Sequence, residues 1–188
     1  MSYERLAPAL EPARWRAVTA ASLVAVEAAL GWRFGWAAPL AAFLYLGAVL
    51  TVVAVIDART SRVPNVVVLP SYPIGIGLLA IAAGIGGQWW PLERALVAMA
   101  AVAGLYLVLA LAAGGQRMGL GDVTVGGLLG LLLGWAGWSA LSSGVVLGWA
   151  AALVVVLVAR RGPTGRPAAI PAVPCLWLGA LVALVATR

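Results

Sequence analysis

An all-α, polytopic bundle of about seven membrane-spanning helices is the fold that the sequence predicts. Three observations predict it. Of 188 residues, 64% are hydrophobic and 10% charged, whereas a soluble domain carries about 25% charged residues. A mean hydropathy of +1.06 leaves too little polar surface to face water. The apolar residues also fall into runs near the length that crosses a hydrocarbon core of ~30 Å at about 1.5 Å per residue.

The elements follow in order. Residues 1–16 form a polar, basic N-terminal arm with Arg5, Arg14 and Arg16. The first apolar run, residues 17–31, is interrupted by Glu27 and ends without a convincing small-residue cleavage site, so it is expected to stay as a helix. Six spans remain if it is removed. Glu27 is expected to be a hydrogen-bonded structural acid. A second span, residues 37–56, closes at Asp57, and residues 58–65 make a polar loop in which Pro64 disfavours helical geometry at Val63. The third span, 66–84, contains Pro70 and Pro73, which membrane helices tolerate. A loop bearing Trp89, Trp90, Glu93 and Arg94 follows, with the last two expected to pair or to snorkel at the interface. The fourth span covers 95–113, the fifth 123–138, the sixth 144–159 and the seventh 168–186. In the fifth, Gly126, Gly130 and Gly134 recur every fourth residue and give one smooth face for close packing. Cys175 in the seventh is expected to be a small packing residue.

Seven spans divide the arginines unevenly. Nine lie with the N-terminus and its alternate loops (Arg59, Arg62 and Arg117 among them), against Arg33, Arg94 and Arg188 on the other side. The positive-inside rule therefore places the N-terminus in the cytoplasm. Trp32, Trp36, Trp89, Trp90, Trp135 and Trp138 fall near the opposite interface, as an aromatic belt would. The net charge of +6 comes from arginines set between apolar runs. It reads as a topology signal and not as a nucleic-acid surface.

Chemistry is confined to few groups. The chain has no histidine, which removes the usual proton shuttle and Ser-His or Cys-His nucleophiles, and a single cysteine, which removes a Cys-x-x-Cys zinc module. No metal or other cofactor is expected. Acid–base work falls on carboxylates, and the only aspartates are Asp57 and Asp122. Carboxylates at the edge of membrane helices are costly and mark functional sites. Both lie at the cytoplasmic end of their spans, and a close pair of carboxylates shares one proton and can activate a water. Asp122 opens a helix and Asp57 closes one, so the helix dipoles point to Asp122 as base and Asp57 as proton carrier. Gly119 and Gly121 flank the second carboxylate in Arg117-Met118-Gly119-Leu120-Gly121-Asp122 and let another strand approach.

Two motifs then resemble a known family. Ile56-Asp57 followed by Val63-Pro64-Asn65 resembles the first active-site motif of type IV prepilin peptidases. Met118-Gly119-Leu120-Gly121-Asp122-Val123 resembles their second, the Gly-x-Gly-Asp motif shared with preflagellin peptidases. Ile170-Pro171-Ala172-Val173-Pro174-Cys175-Leu176 is similar to a degenerate form of a stretch in their last helices. The resemblance implies a single transmembrane peptidase domain over residues 17–188. It implies a membrane aspartyl endopeptidase with Asp57 and Asp122 as the catalytic pair, supported by Gly119, Gly121, Pro64 and Asn65. The partner would be a pilin-like precursor with a basic leader and a hydrophobic segment, cut at the cytoplasmic face of the cell membrane. Thr124 stands where the family often has lysine, and Ala172, Val173 and Cys175 replace the usual glycine and phenylalanines. The cysteine-bearing domain of the long bifunctional members has no counterpart here, which implies a peptidase without N-methyltransferase activity. Two other classes stay open: a small proton- or ion-coupled transporter using the same aspartates, and an inactive family member acting in pilus assembly.

Overall fold

A computed structural model describes residues 13–112, 119–160 and 172–187. Among these residues there are seven α-helices and no strand. They are α1 (Ala13–Phe34), α2 (Leu40–Thr60), α3 (Asn65–Gly86), α4 (Trp90–Ala112), α5 (Leu120–Ala136), α6 (Trp138–Arg160) and α7 (Ala172–Ala186). Five are long and apolar enough to cross a membrane, whereas α5 and α7 are apolar but shorter. The polytopic helical bundle expected from the sequence is the fold. The N-terminal arm through residue 12, Arg117 and Met118 of the second motif, and the loop with Arg161, Arg166, Ile170 and Pro171 lie outside the described residues.

Packing puts α2, α5 and α7 at the centre, each touching the other two. α1 and α3 flank α2, α4 lies along α5, and α6 lies along α7. Every residue from 125 to 134 of α5 is buried. Lipid is as apolar as a leucine side chain, so such helices are held by close backbone approach and interhelical hydrogen bonds. The glycine face of α5 supplies the approach. A Cβ on Gly130 would lie 2.6 Å from the Ala98 carbonyl oxygen, and one on Gly134 2.9 Å from Ala95 Cα, both on α4. Gly126 receives the flat of the Tyr106 ring. The seam between α6 and α7 is closed the same way, by Gly148 against Gly179. Hydrogen bonding joins α7 to α2, where buried Trp177 Nε1 donates to Thr51 Oγ1 at 3.0 Å and Thr51 in turn donates to the Gly47 carbonyl at 2.7 Å.

Several boundaries differ from those expected. α2 continues for most of a turn beyond Asp57, because Ala58 and Arg59 are good helix formers and Thr60 Oγ1 donates back to the Ile56 carbonyl at 2.8 Å. It stops at Ser61, which takes a left-handed φ of 48° and donates its N–H to the Asp57 carbonyl. The fifth span ends two residues earlier than expected and the sixth begins six residues earlier: Gly137, at φ 146°, ends α5, and Trp138 begins α6. The third span begins at Asn65, directly after Pro64, whose carbonyl accepts the N–H groups of Val67 and Val68.

Two charged residues depart from expectation. Glu27 is not hydrogen-bonded through Oε1, which is buried and has no partner among the described residues. It faces the Gly47 region of α2, where neighbouring Val26 and Leu30 are apolar and have no donor to offer. Arg94 does not turn to its neighbour Glu93. Its guanidinium donates to the carbonyls of Gly134 and Trp135, the last turn of α5, because helix-end carbonyls lack partners within the helix.

Candidate active site

Three helix ends converge on Asp57 at one end of the bundle. Asp57 sits in the last turn of α2 and is 5% exposed. Its Oδ2 accepts the backbone N–H of Val173, the second residue of α7, at 3.1 Å. The first turn of α5 brings Asp122 to the same end of the bundle. Asp122 is half-buried, the more open of the two, and its Oδ2 accepts the N–H of Gly119 at 3.2 Å. That bond is the half of a capping box that a glycine N-cap permits.

The polypeptide after Asp57 explains why these ends meet. Val63, in the short connection to α3, packs directly on Gly121; a Cβ there would lie 2.6 Å from Val63 Cβ. Asn65 opens α3, and its Oδ1 is 3.3 Å from the hydroxyl of Thr124, which also donates to the Gly121 carbonyl at 2.8 Å. From two turns further along α3, Tyr72 donates its hydroxyl to the Thr124 carbonyl at 2.6 Å. The segments carrying the two aspartates are therefore joined by a close backbone contact and by hydrogen bonds between α3 and α5.

Each residue expected at a site can now be placed. Asp57, Asp122, Gly121 and Asn65 come together at this end of the bundle. Pro64 is the N-cap of α3 and sets the turn between Asp57 and Asn65. Gly119 is exposed, with extended backbone and, among the described residues, no neighbouring atom closer than 3.8 Å to an added Cβ. Among those residues Gly121 is a packing requirement and Gly119 is not. Cys175 is buried, as expected of a packing residue, and lies within electrostatic reach of Asp57. Arg59 stacks on Trp15 with Cζ 5.6 Å from the ring centroid, tying the start of α1 to the end of α2.

Sequence reasoning missed three contributors. The Val173 amide had no residue-type signal, because any residue there presents an N–H. Tyr72 was legible in principle, as a phenol inside an apolar run needs a partner. Thr124 was noted only for the lysine it replaces, yet it touches both Asn65 and Gly121. The amide of Val173 also changes the helix-dipole argument about the proton. Each carboxylate accepts one backbone N–H at a helix N-terminus, so helix ends alone no longer distinguish them.

The two carboxylates stand at one end of the bundle, Asp122 the more open and Asp57 the more buried. No solved structure matches the chain. A prepilin leader peptidase/N-methyltransferase of Stutzerimonas stutzeri is 29% identical over 161 residues, which is 83% of this chain and 53% of that protein. The chain thus spans about half the length of this relative. The model of the type IV leader peptidase family matches residues 44–160, a stretch that contains both aspartates and the contacts that join them. On that match, the chain belongs to the type IV leader peptidase family.

Proposed function

We propose that this protein is a membrane aspartyl endopeptidase that removes the leader from type IV pilin-like precursors, with Asp57 and Asp122 activating the water. The observation that carries the proposal is the junction of the two motifs, Val63 on Gly121 and Asn65 at Thr124, which brings the ends bearing both carboxylates together. Membership of the family supports the peptidase activity, and the Stutzerimonas relative bears the prepilin peptidase name.

The chemistry follows from the pair. Two neighbouring carboxylates hold one proton between them at working pH. The ionised member takes a proton from water as the water oxygen bonds to the scissile carbonyl carbon, and the protonated member gives its proton to the carbonyl oxygen. The resulting gem-diol then collapses. Its C–N bond breaks, the amine leaves with a proton from the first carboxyl, and the second carboxylate recovers its own from the diol. Substrate would enter beside Asp122, where Gly119 and Leu120 are exposed, and not over buried Asp57. The arginine imbalance supports orienting this end toward the cytoplasm, where Arg59 and Arg62 would meet the headgroups. A precursor would reach it with its basic leader in the cytoplasm and its hydrophobic segment in the bilayer.

Incubating the purified protein with a pilin-like precursor, and analysing the products by mass, tests the proposal. Wild type should release the leader, and Asp57→Asn and Asp122→Asn should each abolish release while keeping helix content. Release by either variant at the wild-type rate would show that the pair is not the catalyst.

A further inference from the structure

The helices whose N-terminal ends build the site are α5 and α7. α5 has 17 residues, about 25 Å of helix at 1.5 Å per residue, which falls short of a hydrocarbon core of ~30 Å. A full-length span is held in depth by its two interfaces, but α5 cannot reach both. Something else must fix how far it is inserted along its own axis, and the far end of α7 is held in the same manner.

At the end of the bundle opposite the site, each of these two helices is held by an arginine from a neighbour. Arg94, in the first turn of α4, donates Nε to the Gly134 carbonyl of α5 at 2.6 Å and a terminal nitrogen to the Trp135 carbonyl. Arg33, in the last turn of α1, donates Nε to the Leu184 carbonyl of α7 at 3.1 Å and a terminal nitrogen to the Thr187 carbonyl at 2.6 Å. The last carbonyls of a helix have no partner within it and lie at its negative end. A guanidinium offers five donors in a rigid fork and keeps its charge, so it can hold two carbonyls at once. Arg33 and Arg94 are the arginines that the described residues place at this end of the bundle. Each grips one of the two helices that end in the site.

We infer that Arg33 and Arg94 are positioning residues for the peptidase site: they anchor the far ends of α7 and α5 and so set the axial position of the Val173 amide and of Asp122. The inference rests on the proposed role of Asp57 and Asp122. A rigid helix transmits an axial shift from one end to the other, so releasing the anchor displaces the carboxylate. Misplacing a catalytic group by about 1 Å can cost on the order of 10²-fold in rate.

The test uses the full chain in lipid vesicles and two readouts. In the first, Arg94→Gln and Arg33→Gln should lower kcat for a pilin-like precursor by on the order of 10²-fold per folded molecule, with KM unchanged. Arg94→Lys and Arg33→Lys, which keep a donor and the charge, should recover part of the loss. The second does not depend on activity. A nitroxide at exposed position 120 (Leu120→Cys with Cys175→Ser) reports the depth of the α5 N-terminus by its collision with oxygen and a nickel chelate. Its depth should change on Arg94→Gln and return toward wild type on Arg94→Lys. An unchanged label depth together with unchanged kcat per folded molecule would overturn the inference, even if the melting temperature drops. If the unsubstituted protein cleaves no precursor, the peptidase reading fails, and the label depth alone decides whether the anchors set the helix position.

Discussion

At the residue scale, the glycines of the second motif do different work although the sequence presents them as equals. Gly121 is pressed against Val63, with room for no Cβ, whereas Gly119 has open space around it. Gly121→Ala is therefore expected to push the Val63 connection away and lower cleavage at least about tenfold, since small misplacements of catalytic groups are costly. Val63→Ala in the same chain should restore much of it, because it removes the atoms that the new methyl meets. Gly119→Ala should melt like wild type, and KM is expected to rise on the proposal that substrate enters beside Asp122. Thermal unfolding in detergent with steady-state kinetics on a precursor separates these outcomes. The aspartates and glycines were legible because carboxylates and missing side chains are residue types with few uses in a membrane. The Val173 amide was not, since a backbone donor leaves no mark in the residue alphabet. Of the two readings of Glu93 and Arg94, pairing or snorkelling, neither named the partner that Arg94 takes, for a related reason. The carbonyls that Arg94 serves belong to the end of another helix, some forty residues away in sequence.

At the element scale, the fourfold glycine spacing of α5 predicted a smooth face, and that face is where α4 lies. Gly130 should tolerate no substitution: in Gly130→Ala the methyl would meet the Ala98 carbonyl oxygen at 2.6 Å and Met99 Cα at 2.9 Å. Backbone cannot rotate away as a side chain can, so a loss of about 1–3 kcal/mol is expected, the usual cost of overpacking. Gly77 in α3 is the control, with nothing within 4 Å of an added Cβ. Gly77→Ala should be neutral or stabilising by up to about 1 kcal/mol. Reversible unfolding of both variants in one detergent checks the contrast, and equal melting of the two would contradict the packing described. Helix number and type were readable from hydropathy alone. Helix ends were less so, because they depend on caps such as the left-handed Ser61 and on Gly137, and not on how apolar a run is.

At the scale of the whole molecule, the candidate site and the two arginine caps lie at opposite ends of the bundle. The end with the candidate site gathers the last turn of α2 and the first turns of α3, α5 and α7, with Arg59 stacked on Trp15 beside it. The other end carries exposed tryptophans, Trp32, Trp36, Trp89, Trp90 and Trp138, and the two arginine caps. Arginine counting foresaw this polarity in the sequence, since both aspartates fell on the arginine-rich side. In the proposed reaction Asp57 and Asp122 act as one unit. Residues that act as a unit give non-additive losses. The single-turnover rate of leader removal by wild type, Asp57→Asn, Asp122→Asn and the double variant in one vesicle preparation tests this. All three variants are expected to fall to the same residual rate, the double no lower than either single. Appreciable cleavage by one single variant, or a double-variant loss equal to the product of the two single losses, would contradict it.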